Sequence, residues 1–397
     1  MVPARLLDLT RTLRRSGRVA TGIDRVERAY LDRFLADDVP VYGLVRTALG
    51  YILLDRVGVQ GLADRVSGDA PWGKRRGLAR LSRGPDPVAR AESDIRAMAL
   101  ARLTPGRLGA VLARHLPVGY AYYNVGHSNL TDRVLSGIKG SFGTCHVMVH
   151  DLIPLDYPQY QRPGTVPAFE KKMRRVARHA DRIICNSHDT AARCTDVMAY
   201  WGEVPKFVVA HLGCTVPTAD IADLPAEIDP TQAYFVTVGT IEPRKNHAFL
   251  LDLWEEMGAE APPLYISGAR GWANADVFAR LDGLDTDSPV RELGPLSDRA
   301  QAALVAHARG ALFPTMAEGF GLPVVESLML GTPVICSDLP VFREFLGKNC
   351  VYAPLNERYL WSEAVKEWAK SPPDAHHLAE FEAPTWADHF SGVLGSE

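Results

Sequence analysis

Glu318 and Glu326 stand eight positions apart, on either side of a turn that contains two glycines. The turn and the residue after it are Gly319, Phe320, Gly321 and Leu322. Glycine lets a ligand approach the backbone closely, and a helix that begins near Leu322 would offer unpaired N–H groups to anionic oxygens. Both carboxylates can accept hydrogen bonds from hydroxyl groups. The pattern indicates recognition of an elongated, hydroxyl-rich ligand, although a glycine turn beside a surface glutamate would have the same sequence.

A basic pair, Arg244 and Lys245, follows Gly239 just after a predicted strand. Arginine binds phosphate through its planar fork, and lysine binds it as a point charge. Such pairs are usually solvated surface charges. Here the position after a strand and a glycine turn favours a role in neutralising a diphosphate leaving group.

Polar residues also end two predicted strands in the first half of the chain. His150 and Asp151 come at the end of the strand Thr144–His150, and His127 follows the strand Tyr120–Val125. A histidine that ends a buried strand is commonly structural. Ligands of open α/β sheets bind at the carboxyl ends of the strands, however, so His150 is a candidate catalytic residue. Asp151 and His127 are expected on the acceptor side of the same site.

Strands must position these residues, and the chain alternates short apolar runs with longer helical patterns, as parallel α/β proteins do. The predicted strands are Arg5–Thr10, Val39–Thr47, Tyr120–Val125, Thr144–His150, Arg182–Asn186, Lys206–His211, Ala233–Gly239, Pro263–Ser267, Val290–Leu293, Ala311–Pro314, Pro333–Ser337 and Cys350–Ala353. A stretch with three prolines between Cys214 and Gln232 is typical of a linker. We predict an α/β fold of two Rossmann-like domains, residues 1–215 and 216–379. A tail of about residues 380–397 is expected to pack back on the first domain.

The composition fits two globular domains in a reducing compartment. The 397 residues carry a formal net charge of −3, which gives no reason to expect a nucleic-acid partner. The six cysteines form no Cys-x-x-Cys pair. Neither a secretory signal nor an apolar run of membrane-spanning length is visible. We therefore expect a cytoplasmic protein.

One basic segment, residues 74–114, has ten lysines and arginines against three acidic residues. With Trp72, Leu78 and Leu81 it could contact an anionic inner-membrane surface, where a lipid-linked acceptor would be found. A solvated arginine-rich face, or a mobile insert, would have the same composition.

Together the two motifs resemble glycosyltransferase family four, the large retaining family with the GT-B fold, in which two Rossmann-like domains face a central cleft. Glu318 to Glu326 matches its Glu-x7-Glu pattern, and Arg244-Lys245-Asn246 matches its basic donor motif. The resemblance continues from Gly331 to Glu344. The run from His150 to Pro158 is similar to bacterial members that build surface polysaccharides, including mannosyl- and rhamnosyltransferases.

The resemblance implies a role for each residue of the donor site. Glu326 would bind the ribose hydroxyls, Glu318 the donor sugar, and Arg244 with Lys245 the diphosphate, while the backbone of residues 320–322 would contact sugar and phosphate. Four further residues are implied around the donor: Gly239 in the turn, Gly22 in an N-terminal glycine loop, and Arg270 with Trp272 beside the base. His150 would orient or polarise the reacting groups.

The expected function is a retaining, metal-independent transfer of a hexose, with mannose from GDP-mannose as the favoured donor, to a glycan or lipid-linked glycan. A dTDP-rhamnose- or UDP-sugar-dependent transferase is the alternative on the same fold. A phosphorylase, an epimerase and an inactive sugar-nucleotide-binding domain also remain. No cofactor is expected: the single Asp-x-Asp match, Asp285-Thr286-Asp287, is interpreted as a turn.

Overall fold

The computed structural model describes residues 2–77, 85–371 and 381–395. In that part of the chain the strands form two sheets, one of eight strands and one of six. The strands are β1 (Arg5–Asp8), β2 (Val41–Thr47), β3 (Gly50–Leu54), β4 (Ala101–Leu103), β5 (Ala121–Asn124), β6 (Thr144–Val149), β7 (Arg182–Cys185), β8 (Phe207–Val209), β9 (Phe235–Val238), β10 (Leu264–Ser267), β11 (Val290–Gly294), β12 (Gly310–Phe313), β13 (Val334–Cys336) and β14 (Val351–Tyr352). Each predicted strand overlaps one of these, and their alternation with helices confirms the α/β class.

The helices of the first half are α1 (Thr10–Arg14), α2 (Gly22–Ala36), α3 (Arg56–Ser67), α4 (Asp86–Ala97), α5 (Leu108–His115), α6 (Asp132–Gly140), α7 (Ile153–Asp156), α8 (Thr165–His179) and α9 (His188–Tyr200). Those of the second half are α10 (His247–Met257), α11 (Ala275–Asp282), α12 (Asp298–Ala306), α13 (Leu322–Met329), α14 (Pro340–Leu346), α15 (Arg358–Lys370) and α16 (Trp386–Leu394). They cover the sheets, whose central strands are buried and accordingly apolar.

The strand order of the first sheet is β4-β3-β2-β1-β5-β6-β7-β8, and that of the second is β11-β10-β9-β12-β13-β14. All ladders of the second sheet are parallel, as are those from β2 through β1 to β8 in the first. The carboxyl ends of these parallel strands therefore lie along one edge of each sheet, where the loops that carry Glu318, Arg244 and His150 begin.

Two strands were missing from the sequence prediction, β3 and β4, which extend the first sheet as an antiparallel edge. β2 and β3 form a hairpin in which Thr47 pairs with Gly50. Its turn residues, Ala48 and Leu49, lack the Asn-Gly or Asp-Gly sequence that marks tight hairpins. The hairpin is therefore stabilised by burial of β3 rather than by a recognisable turn.

The last described helix, α16, packs against the first sheet, beside β8. The Tyr30 hydroxyl lies 2.9 Å from Nε2 of His389, and the Phe390 ring packs edge-on against Tyr30. Gly213, after β8, has no room for a side chain, because a Cβ there would overlap the backbone of Trp386. A return of the chain to the first sheet is thus present in residues 386–394, while the exact domain bounds stay a prediction.

The described part of the basic segment is folded. Arg75 pairs with Asp86 at 2.8 Å and Arg96 with Glu92 at 2.6 Å, and Trp72 packs against the main apolar core. Leu78 and Leu81 lie outside the described residues. None of the helices described is both long and apolar enough to cross a bilayer.

Candidate active site

The loops after β9 and β12 bring three charged residues together. Arg244 lies 2.9 Å from Oε2 of Glu318 through one guanidinium nitrogen, and Lys245 pairs with the other carboxylate oxygen. Arg244 also contacts Glu242 at 2.6 Å and donates to the Ala317 carbonyl at 2.9 Å. The sequence-predicted residues Glu318, Arg244 and Lys245 therefore form one ion-pair network at the edge of the second sheet.

Burial and charge act in opposite directions within this network. Burial alone would raise the pKa of Glu318, but the charges of Arg244 and Lys245 outweigh it and lower that pKa to about 2. Burial lowers the pKa of Lys245, although the Glu318 carboxylate partly offsets the effect. Burial also raises the pKa of Glu242. Two cations thus share the network with one firmly ionised carboxylate, so an incoming diphosphate would compete with Glu318 for them.

Glycines allow the loops of the network to pack closely. Gly239 has a φ of 141°, and a Cβ on Gly268, after β10, would overlap the carbonyl oxygen of Gly239. The Met316 amide donates to the Arg244 carbonyl at 2.7 Å and so joins the loop after β12 to the loop after β9. A side chain at 268 would therefore clash with the backbone of the loop that carries the basic pair, and one at 239 would be strained by its positive φ.

Gly319 lies against the first domain. A Cβ at this position would overlap the carbonyl oxygen of His150, at the end of β6. The Gly319 carbonyl lies 3.4 Å from the hydroxyls of Ser187 and Thr190, at the start of α9. This contact brings the residue beside Glu318 against His150 and Asp151, so the predicted donor and acceptor residues face one another across the cleft.

His150 is buried, and burial lowers its pKa to about 4. Its Nε2 lies 2.6 Å from the carbonyl oxygen of Val125, which can only accept, so Nε2 carries the proton and Nδ1 is an acceptor. Burial raises the pKa of Asp151, with Arg244 acting against it, which places this carboxylate near the charged network. A neutral histidine can orient a hydroxyl group but does not supply a positive charge at neutral pH.

His127 lies beside His150, with ring centroids 5.1 Å apart. Its backbone has a φ of 55°, unusual for a residue with a side chain. Its Nε2 lies 2.8 Å from the carbonyl oxygen of Met148. Burial lowers the pKa of His127 well below its usual value. The structure thus groups His127, His150 and Asp151 at the carboxyl ends of β5 and β6.

Glu326 lies in α13 and pairs with Arg25, a residue of α2 in the first domain. Arg25 also contacts Asp298, at the start of α12, at 3.2 Å. Burial raises the pKa of Glu326, and the Arg25 charge acts against the rise. Arg25 was not among the residues predicted from the sequence, since its only local signal is its place three residues after Gly22.

The turn between the two glutamates is shaped by packing. Gly321 caps α13 with a φ of 95°, and a Cβ there would lie 2.5 Å from the Phe342 ring. Phe320 is buried and stacks on Phe345 with centroids 4.4 Å apart. Leu322 begins α13 and lies close to Gly22, the first residue of α2: a Cβ on Gly22 would be 3.5 Å from Leu322 Cδ1. The starts of the two helices therefore meet.

Arg270 is not part of this cluster. Its guanidinium pairs with Glu292 and Asp282, both at 2.6 Å, although its backbone bridges to Ile241. Trp272 instead contacts the first domain, because its indole N–H donates to the Tyr160 carbonyl at 2.9 Å. Arg270 is therefore paired with two carboxylates near the surface, and Trp272 lies between the domains.

A further contact between the domains was not predicted from the sequence. Glu344, in α14, accepts hydrogen bonds from the amides of His188 and Asp189 at 2.7 and 3.2 Å, and lies 2.6 Å from Nε2 of His211. The carboxylate therefore satisfies the first N–H groups of α9 from the opposite domain. Its partners lie more than 130 positions away, so no local pattern identifies it.

Among the residues that the structure describes, no group of three or more His, Cys, Asp or Glu residues could hold a metal ion. Asp285 and Asp287 lie between α11 and β11.

Residues 223–382 match the family described as "Glycosyl transferases group 1". The chain is 33% identical over 261 residues to the serotype-specific mannosyltransferase WbdA of Escherichia coli, a match that covers 61% of this chain and 31% of WbdA. It is 29% identical over 219 residues to the O-antigen chain mannosyltransferase B of Escherichia coli, covering 52% of this chain and 56% of that protein. The chain thus spans about a third to about half of the length of these relatives.

The similarity to a solved structure covers nearly the whole length of the chain. The crystal structure of Anabaena HepE in complex with UDP-glucose matches 99% of this chain and 100% of its own, with a TM-score of 0.59 and 15% identity. The predicted GT-B architecture and the resemblance to glycosyltransferases are therefore confirmed.

Proposed function

We propose that this chain, whose residues 223–382 match the family described as "Glycosyl transferases group 1", transfers a hexose from a nucleotide diphosphate sugar to a glycan during synthesis of a bacterial surface polysaccharide. The proposal rests on the contact of Gly319 with His150. This contact places the ion-pair network of Glu318, Arg244 and Lys245 next to polar residues of the opposite domain. One relative, WbdA, is a mannosyltransferase, which supports a hexose as the transferred sugar.

In the proposed reaction Arg244 and Lys245 stabilise the departing nucleoside diphosphate. Negative charge grows on the leaving group as the glycosidic bond breaks, and prepositioned cations in a buried site stabilise such charge strongly. When the donor binds, Glu318 exchanges its ion pairs for hydroxyl groups of the donor sugar. The cluster therefore favours departure of a diphosphate without a metal ion, and we propose that no cofactor is required.

We propose that the transfer retains the anomeric configuration. The acceptor hydroxyl attacks from the side on which the diphosphate leaves, and an oxygen of the departing phosphate takes its proton. His150 orients a hydroxyl group through Nδ1, because its Nε2 proton is engaged by the Val125 carbonyl. Asp151 and His127 shape the acceptor side beside it.

GDP-mannose is the proposed donor, with dTDP-rhamnose or a UDP-sugar as the alternatives. The mannosyltransferase relatives favour GDP-mannose. A glycan or lipid-linked glycan is the proposed acceptor. We propose a cytoplasmic site of action in which residues 74–114 approach the anionic inner membrane, as the unequal charge of that segment suggests.

The test is a panel of GDP-mannose, dTDP-rhamnose and UDP-sugars, read first by thermal shift and then by product analysis. The true donor should raise the melting temperature by mass action and should be consumed. Lys245→Met should abolish consumption, whereas Lys171→Met, on the exposed face of α8, should leave it unchanged. Binding without turnover by the wild-type protein would indicate an inactive binding domain, and the absence of any stabilising donor would contradict the proposal.

A further inference from the structure

The start of α2 is fixed by a set of ion pairs. Asp24 accepts a hydrogen bond from the Thr21 amide at 2.7 Å and pairs with Arg11 at 2.8 Å and Arg15 at 2.9 Å. These contacts lower the pKa of Asp24 against the opposing effect of its burial. The next residue, Arg25, is therefore held on a rigid turn from which its side chain reaches the opposite domain.

Arg25 forms an ion pair with Glu326, the carboxylate that the Glu-x7-Glu motif assigns to the donor ribose. Its guanidinium pairs with Glu326 and lies 3.2 Å from Asp298. The contact with Glu326 uses one carboxylate oxygen, Oε1, so a ribose whose two hydroxyl groups bind both oxygens of Glu326 competes with Arg25 for it. A half-buried guanidinium that loses an anion needs another one, since an arginine stays charged and its burial without a partner is costly.

A cavity of about 870 Å³ lies beside this pair and is lined by both Arg25 and Glu326. Its volume falls in the range of small-molecule sites, about 300–1,000 Å³. The cavity also includes Gly17 and Leu322, and the starts of α2 and α13 meet close to it. The start of α13 has no side-chain cap, and such a helix N-terminus favours anions through its unpaired N–H groups and its dipole. Both features favour a phosphate group near Arg25.

We propose that Arg25 is a donor-binding residue of the first domain that exchanges Glu326 for the diphosphate of the donor. Glu326 is then free to accept hydrogen bonds from the ribose hydroxyls. This inference rests on the proposed function, and it adds a third cation, from the opposite domain, to Arg244 and Lys245. The exchange needs the α2 start and α13 to lie side by side, as they do in this structure.

The test compares Arg25→Met with Arg280→Met, a control at an ion-paired arginine that does not line the cavity. The two side chains are similarly exposed, at 33% and 36%, and Arg280 pairs with Asp252 at 2.6 Å. Affinities are measured for GDP, GMP and guanosine, with the corresponding uridine and thymidine series in parallel. Arg25→Met should weaken the best diphosphate about tenfold to a hundredfold, the loss expected for a hydrogen bond to a charged group.

The same variant should bind the nucleoside at least as tightly as the wild type does, because Glu326 no longer has to release Arg25. Arg280→Met should change each affinity by less than about twofold. Equal weakening of diphosphate and nucleoside would show that Arg25 only shapes the fold, and an unchanged diphosphate affinity would also overturn the proposal.

Arg25→Lys is measured instead if the methionine variant does not fold. It keeps the charge but loses the planar fork, so it should weaken the diphosphate severalfold and leave the nucleoside unchanged. Equal effects on both ligands would again overturn the proposal. If the wild-type protein binds no nucleoside diphosphate, the proposed function itself fails, which is a different result from loss in the Arg25 variants alone.

Discussion

Glu318→Gln removes the only carboxylate that pairs with both cations of the donor loop among the described residues. Glutamine keeps the shape of the side chain but not its charge. Lys245 then lies buried beside Arg244 without its ion-pair partner, and the loss of one member of a buried ion pair is strongly destabilising. The variant should therefore fold with a lower free energy of unfolding.

The size of the effect follows from the pKa of Glu318, which the fold lowers from 4.5 to about 2. Each unit of difference in pKa corresponds to about 1.4 kcal/mol, so the network stabilises the folded protein by about 3 kcal/mol at pH 7. Because the pKa is lower in the folded state, this stabilisation is complete above pH 4.5 and is lost as the pH falls toward 2.

Urea unfolding of the wild type and of Glu318→Gln at several pH values measures this difference directly. It should be about 3 kcal/mol at pH 7 and should shrink as the pH falls below 4.5. Glu363→Gln, on the exposed face of α15, is the control and should match the wild type throughout.

The same substitution should separate anion binding from transfer. Inorganic pyrophosphate should bind Glu318→Gln at least as tightly as the wild type, because no carboxylate competes for Arg244 and Lys245. Transfer should fall at least about tenfold, as expected when one hydrogen bond to the transition state is lost. Unchanged stability, a difference that does not depend on pH, or weaker pyrophosphate binding would refute this account of the network.

Gly319→Ala should reduce kcat/KM at least about tenfold, because the added Cβ would overlap the His150 carbonyl and displace the reacting groups. The control, Gly106→Ala, has open space around the added Cβ and should behave as the wild type. His150→Asn should slow transfer to the acceptor and leave nucleotide affinity unchanged; an equal loss of nucleotide affinity would refute this. Because burial lowers the pKa of His150 to about 4, the wild-type rate should show no step from its titration between pH 6 and 8. A step in that range that disappears in His150→Asn would refute this second expectation. Arg270→Met should change nucleotide affinity by less than about twofold, because its charge is engaged by surface carboxylates; a tenfold loss measured by titration calorimetry would contradict this. EDTA should leave the rate of transfer unchanged, and recovery of a lost rate on adding a divalent cation would disprove metal independence.

The sequence alone determined the elements of the donor site. Parallel strands and the loops after them have local signatures, because buried strands need apolar runs and positive φ angles favour glycine, as at Gly239 and Gly321. The Glu318 and Arg244 motifs lie on such loops, so their shared edge of the sheet followed from topology. The β2–β3 hairpin escaped prediction because its turn carries no such signature.

Only the tertiary structure decided which charges meet across the cleft. Arg25 and Glu326 are 301 positions apart, and Glu344 reaches α9 from 156 positions away. Arg270 and Lys245 both follow strands of one sheet, yet Arg270 pairs with Glu292 and Asp282 on the surface while Lys245 is buried with Glu318. A local sequence pattern determines on which loop or helix a side chain lies. Its ion-pair partner depends on how the two sheets pack and on which charges that packing buries.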